Sequence, residues 1–346
     1  MNPPKVSVLI PTYNYARFLP EAIESVLAQD FPDFELLIVD DCSADDTAAV
    51  VRPFCERDDR VRFSVNPSNL GMVNNWNQCL ARARGEYIKF LFGDDRLCHP
   101  RALSRMVALL ENNPTATLAA SARVILDDES GVLDVWRDLP EGRQDGRKII
   151  TACLMENGKN IVGEPSAVLF RKADAARGFD PRYRQIVDVE MWFHLLEKGD
   201  LAYTREPLCA FRCHPLQQTE RNTGSGVAWT EHARFMASHA VEDRFPRETV
   251  FPILFHLRRW QKKNPDAASP EMLEWQRRLA ARWGPGWRWP YCLYWLRYRM
   301  AKPFRNLAHS LQKRMFRRAF KPAWLCSSTL ESTARSGTNT GGGTPA

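Results

Sequence analysis

The chain has 346 residues, 44% hydrophobic and 26% charged, with 48 Lys and Arg against 41 Asp and Glu for a net charge of +7. That length gives one large or two modest domains with a sizeable buried core, and no run of 18 or more apolar residues offers a membrane-spanning helix. The nine cysteines are scattered without a CxxC pair or zinc-ligand spacing, which excludes a zinc-ribbon class and predicts reduced, structural thiols. Met1 to Lys5 leads straight into an apolar strand with no cleavage site, so the expected location is cytoplasmic.

In chain order, KVSVLIPTYN (Lys5 to Asn14) is a buried-strand run broken by Pro11, and FLPEAIESVLAQD carries a helical apolar stripe at Phe18, Ala22, Ile23, Val26 and Leu27. FELLIVDD (Phe34 to Asp41) is a second buried strand ending in two acids. SADDTAAVVRPFCERDD opens with cap residues and reads as a helix. VRFSVN is a third strand, Met72 to Ala83 a helix, and EYIKFLFGDD (Glu86 to Asp95) a fourth strand ending in Gly93 and two carboxylates. Alternating strands and helices predict a doubly wound α/β architecture with a largely parallel central sheet and a Rossmann-like nucleotide-binding half.

Further on come a helix at 100–113, a strand with a hairpin through Gly131, and a polar loop at 140–148. A helix to about Asn157, the strand SAVLFRK at 166–172, a helix from Asp188 to Lys198, and the strand LAYTREPLCAFRCH follow. From Val227 the pattern is helical and rich in Trp and Arg. Trp275 to Leu330 holds thirteen Lys or Arg and no acid, which leaves the rest of the chain at −6. Residues 327–346 are low-complexity and read as disordered.

In doubly wound sheets ligands bind beyond the carboxyl ends of the strands, and Thr12 to Asn14, Asp40 with Asp41, and Asp94 with Asp95 each fall there. No GxGxxG follows the first strand and no GxxxxGK[ST] occurs, so a diphosphate needs another partner. A divalent ion on Asp94 and Asp95, Mn²⁺ or Mg²⁺, supplies it. The plain alternative is a polar loop that caps the next helix.

KVSVLIPTYN, FELLIVDDCSADDT, NLGMVNNWNQCLARARGEYIKFLFGDD and DVEMWFHLLEKGD together resemble an inverting family 2 glycosyltransferase of the GT-A fold, of the bacterial cell-surface polysaccharide type. The resemblance runs from about Lys5 to His214. It implies a nucleotide-sugar site at Pro11, Thr12, Tyr13, Asn14, Asp41, Asn69, Gly71, Asn74 and Asp94, with Tyr13 stacking on the base and Asp41 accepting its imide N–H. Tyr13 as a half-buried loop aromatic is the plain alternative. It further implies a metal at Asp95 and His214, the histidine reading equally well as structural. Asp188 falls at the general-base position and reads also as a helix N-cap. Val187 stands where the family often has Glu, and Glu190 is the candidate to compensate. Glu164, Ser166, Glu190 and Trp192 are the expected acceptor contacts.

The expectation is therefore a nucleotide-sugar-dependent, hexosyltransferase-type enzyme with a UDP-sugar donor and a saccharide or lipid-linked acceptor. Residues 1–226 form the transferase domain (nucleotide half about 1–113, acceptor half about 114–226), and 227–326 a basic helical extension. The Trp/Arg mixture at 275–330 suits an anionic membrane surface at the inner face of the membrane, or a solvated helical extension. No nucleic acid is expected. The rivals are a sugar-phosphate nucleotidyltransferase and a non-catalytic carbohydrate- or membrane-binding protein on a degenerate transferase fold.

Overall fold

The computed structural model describes residues 3–300 except 216, 220, 221, 223–226, 264–268 and 298. The expected disordered tail at 327–346 and the basic stretch 301–330 lie outside the described residues. The strands are β1 (Val6–Thr12), β2 (Phe34–Asp40), β3 (Val61–Val65), β4 (Tyr87–Phe90), β5 (Arg96–Leu97), β6 (Ala116–Leu126), β7 (Val132–Trp136), β8 (Gly142–Gln144), β9 (Val168–Arg171) and β10 (Asp200–Arg212). Helices α1 (Leu19–Leu27), α2 (Thr47–Arg57), α3 (Met72–Arg82), α4 (Ala102–Glu111), α5 (Gly146–Met155) and α6 (Val187–Leu196) alternate with them. Then α7 (Val227–Ala240), α8 (Val250–Lys263) and α9 (Pro270–Trp283) follow.

The strands form one sheet in the order β3-β2-β1-β4-β9-β6-β10-β5, with β7 on β6 and β8 on β10. The first four are parallel, as the alternating sequence predicts, and β6 with β10 runs the same way. Every residue of β1 and β2 is buried, because helices cover both faces and an apolar run then has no wet side. Val6, Val8 and Ile10 face the cluster with α1 and α4. Leu9 faces the opposite cluster with α3, α5 and α6. That second cluster continues through Phe235, Leu254 and Leu279, so the C-terminal helices share the core of the α/β fold.

Three local expectations change. Pro11 does not break β1: it pairs with Val39, and β4 stops at the Leu9–Phe90 pair, so its missing N–H falls where no partner strand requires one. Residues 142–144 of the expected loop form β8, because the backbone of Leu201–Tyr203 offers a free edge. The strand expected from 166 starts at Val168, after a 3₁₀ turn over Pro165–Ala167. It runs antiparallel between β4 and β6. That reversal brings the amino end of β9 to the same sheet edge as the carboxyl ends of β1, β2, β4, β6 and β10, and it sets up the site.

Candidate active site

The loops after β1 and β2 are laced to each other. Asn14 adopts φ 58°, a region Asn tolerates better than most side chains. Its N–H donates to Ser43 Oγ (2.8 Å) and its Oδ1 accepts from Ala44 N (2.9 Å), while Ala16 N donates to Asp45 Oδ2 (3.0 Å). This leaves the Tyr13 ring 41% exposed at the mouth. Thr12 Oγ1 is buried with no hydrogen-bond partner among the described residues, an unmet polar group at the strand end.

Asp41 is buried and already accepts three protein donors: Asn66 Nδ2 (2.9 Å) and Leu70 N (2.8 Å) on Oδ1, and Gly71 N (2.9 Å) on Oδ2. It anchors the turn that holds Asn69 and Gly71, and the three bonds leave room for one more on Oδ2. Gly71 sits at φ 82° at the start of α3, a conformation glycine adopts without strain. Asn69 Oδ1 also accepts from Gly71 N, and the exposed Asn74 donates to Leu70 O at 2.9 Å.

Past β4, Asp94 and Asp95 are both buried. Asp94 Oδ2 meets His214 Nε2 at 3.0 Å, and the His214 ring is packed by Tyr15 and Phe18. Asp95 accepts from Ser166 Oγ (2.5 Å) on Oδ2 and from Arg212 N (2.9 Å) on Oδ1. Burial, and then the neighbouring charge of Asp94, push the Asp95 carboxyl well above the usual carboxylate range. The two buried carboxylates at a strand end form a hard, anionic donor pair whose mutual repulsion a divalent cation relieves, and the His214 imidazole beside them is a softer, neutral donor, so the carboxylates fit Mg²⁺ or Mn²⁺ and the histidine favours Mn²⁺ of the two. Among the described residues no group of three or more His, Cys, Asp or Glu makes a preformed metal cage. Sites that take one or two carboxylates plus substrate phosphates need none.

The segment 160–167 ties these acids to Asp188. Asp188 lies in the first turn of α6, accepting from Asn160 Nδ2 (3.0 Å) on Oδ2 and from Val189 N (2.8 Å) on Oδ1. Asn160 also donates to Gly163 O, and Gly163, at φ 123° with Ala167 Cβ 3.0 Å from where a Cβ would stand, leaves no room for a side chain. Glu164 pairs with the buried Arg123, which also holds Asp138 at 3.0 Å. Burial first, and then the charge of Glu164, push the Asp188 carboxyl up to about 7. The same Glu164 charge raises Asp95, so its field spans both ends of the site.

Several expected roles are corrected. Asp188 is not the N-cap of α6, since Ile186 holds that position and Val187 starts the helix from inside the core. Trp192 is buried, with Nε1 donating to Gly163 O at 2.9 Å and its ring against Phe170; it braces the loop and presents no face to an acceptor. Glu190 turns away from Asp188 and takes a bidentate bond from Arg177 at 2.8 and 2.9 Å. Arg177 lines a hollow of about 750 Å³ with Gly85 and Lys172, at the amino end of β4. Two residues apart on a helix are about 200° apart around it, so Glu190, held by Arg177, does not share the face of Asp188. Ser166 is fully buried, accepting from Phe92 N (3.0 Å) and donating to Asp95, so it is a strut of the acid pair.

Two cations were not singled out from the sequence. Lys89, fully buried in β4, donates to Ser166 O and to Val168 O (3.4 Å), and burial pulls its ammonium down to about 8. Arg212 is buried, and its guanidinium bonds Asp94 O (2.8 Å), Ser130 Oγ (2.8 Å) and Glu21 Oε2 (2.5 Å). The signal for both was a charge inside an otherwise apolar strand run, which buries a cation only with partners waiting.

This sheet order, with acids at the converging strand ends, is that of a GT-A-like nucleotide-binding α/β fold. Residues 7–174 match the sequence profile of Glycosyl transferase family 2. The putative glycosyltransferase EpsE of Bacillus subtilis is 32% identical over 206 residues, covering 58% of this chain and 69% of EpsE. The chain belongs to glycosyl transferase family 2 and is an enzyme of that family. Among solved structures, S. aureus TarS 1–349 in complex with UDP-GlcNAc superposes with a TM-score of 0.56 at 18% identity, over 80% of this chain and 79% of that one. Mannosyltransferase PcManGT from Pyrobaculum calidifontis, in complex with GDP-Man and Mn²⁺, gives 0.50 at 18% identity over 93% and 89%. Both likenesses concern the fold.

Proposed function

We propose that the chain transfers a sugar from a nucleoside-diphosphate-sugar, a UDP-sugar first, to a hydroxyl of a saccharide or lipid-linked acceptor with inversion at the anomeric carbon. The observation that carries this is Asp188, held by Asn160 of the segment that also sets Ser166 against Asp95, with its carboxyl raised to about 7 by burial. A general base works best with a pKa near the operating pH. Asp188 takes the acceptor O–H proton as that oxygen attacks the anomeric carbon, and the bond to the diphosphate breaks on the opposite face with its electron pair leaving on phosphate oxygen. One displacement inverts the centre without a covalent intermediate. Asp95, with Asp94 and His214, would hold a divalent ion, Mn²⁺ or Mg²⁺, which would supply charge neutralisation for the departing diphosphate. Tyr13 faces the base, the free lone pair of Asp41 Oδ2 accepts from it, and the 69–74 turn, the Asn14 loop and Thr12 Oγ1 line the donor.

In this reading residues 1–226 carry the chemistry, the first half toward the donor and the second toward the acceptor, with Glu164 the remaining acceptor-side candidate. The test is nucleoside diphosphate release over a panel of donors with Mn²⁺, Mg²⁺ or a chelator, with the anomeric configuration of the product read by NMR. Release is expected to need the ion, and Asp95→Asn to abolish the response of donor affinity to it. Full turnover in chelator, or a retained anomeric configuration, would refute the proposal.

A further inference from the structure

Among the described residues, no helix is long and apolar enough to cross a membrane. After α9 the chain turns at Gly284 and is helical again over 288–297 and 299–300. At about 100° per residue, Trp287, Tyr291 and Tyr294 share one face, and that face is seated. All three pack against the main core, Tyr294 lies 6.0 Å from the Phe255 ring, and the Arg258 guanidinium stands 4.4 Å over Trp287 and 5.3 Å over Tyr291. The opposite face carries Trp289, Leu293, Leu296 and Met300, exposed by 71%, 50%, 49% and 65%. The same angular count puts Arg288 and Arg299 along one border of this stripe and Arg297 along the other, all exposed. Trp295 lies beside Arg299, whose guanidinium is 4.8 Å from its ring.

An apolar stripe with arginines on both borders is the cross-section of a helix lying in a membrane interface. The surrounding sequence carries only positive charge, thirteen Lys or Arg and no acid from Trp275 to Leu330. A second copy of the chain is a poor occupant, since two such faces in contact would bring six arginines together. A nucleic acid would meet the arginines but leave the stripe wet. We infer that this helix face docks on an anionic lipid bilayer, with Trp289, Leu293, Leu296 and Met300 entering the boundary between headgroups and acyl chains and Arg288, Arg297 and Arg299 meeting lipid phosphates. The docking itself does not need the transferase assignment. Its corollary, that the acceptor hydroxyl is borne on a lipid, rests on that reading.

The experiment is sedimentation of the full chain with vesicles of phosphatidylcholine alone and of phosphatidylcholine mixed with phosphatidylglycerol, without sugar donor, so that failed turnover leaves the result interpretable. Wild type is expected to bind the anionic vesicles roughly 10-fold or more above the neutral ones, and salt to weaken it. Leu293→Ser/Leu296→Ser and, separately, Arg297→Glu/Arg299→Glu are each expected to lose most of that binding while melting as wild type does, since the altered side chains are exposed. Wild type that stays in the supernatant overturns the inference, as do variants that pellet like wild type, which would place binding elsewhere in the chain. A serine variant that turns a dimer into a monomer in light scattering, with vesicle binding intact, overturns it too by showing that a second copy covers the stripe.

Discussion

Asp188→Asn separates chemistry from stability, because the structure makes the two move in opposite directions. A positioned general base contributes 10²–10⁴-fold, so turnover should fall by that range while donor affinity, measured by calorimetry at matched metal, holds. Stability should rise. The Asp188 carboxyl is lifted from 3.8 to about 7 in the folded protein, so between those values the folded state binds the extra proton. Stability is therefore lost as pH climbs, and the full penalty is reached above about 7. Three units correspond to about 4 kcal/mol. An amide cannot accept from both Val189 N and Asn160 Nδ2 as the carboxylate does, and one lost hydrogen bond costs about 1 kcal/mol. The variant is thus expected to be more stable than wild type by roughly 3 kcal/mol at pH 8, and by less than about 1 kcal/mol at pH 5. Denaturant melts at the two pH values read this directly. Wild-type kcat should meanwhile fall about tenfold per pH unit below 7. An Asn variant with near-normal turnover, or one less stable than wild type at pH 8, would refute the assignment.

Lys89→Met removes the donor to two buried carbonyls, at about 1–3 kcal/mol in stability. If Lys89 holds Ser166 against Asp95, the ion concentration for half-maximal activity should also rise, by about tenfold (1.4 kcal/mol), with the pH midpoint near 7 unmoved; an unchanged ion titration would leave Lys89 a purely structural residue. Tyr13→Ala should leave the melting temperature alone, since the ring is exposed, and weaken donor binding by about 2- to 10-fold, the worth of one aromatic stack. Equal donor affinity by calorimetry would remove Tyr13 from the nucleotide site.

The sequence by itself determined the alternation from β1 to β4 and the sheet edge at which the candidate site lies. Strands buried on both faces must be continuous apolar runs, and their ends are where polar residues become affordable, so Thr12, Asp41 and Asp94 with Asp95 were legible as one edge. The motif pattern likewise led to Asp188. What it left open is which way each side chain points and what it touches, because those depend on partners far along the chain. Arg212 reaches Asp95 across 117 residues and His214 reaches Asp94 across 120. Only the reversed strand β9 brings Ser166 under Asp95 and Glu164 toward Asp188. Periodicity placed Glu190 and Trp192 on the helix of Asp188, but the packing of α6 against β9 decided that the tryptophan is core and that the glutamate belongs to Arg177. The physical reason is the same in each case. Local pattern is set by which face of an element is dry, whereas the role of a polar side chain is set by the charges and hydrogen-bond partners that tertiary packing brings within about 3 Å of it.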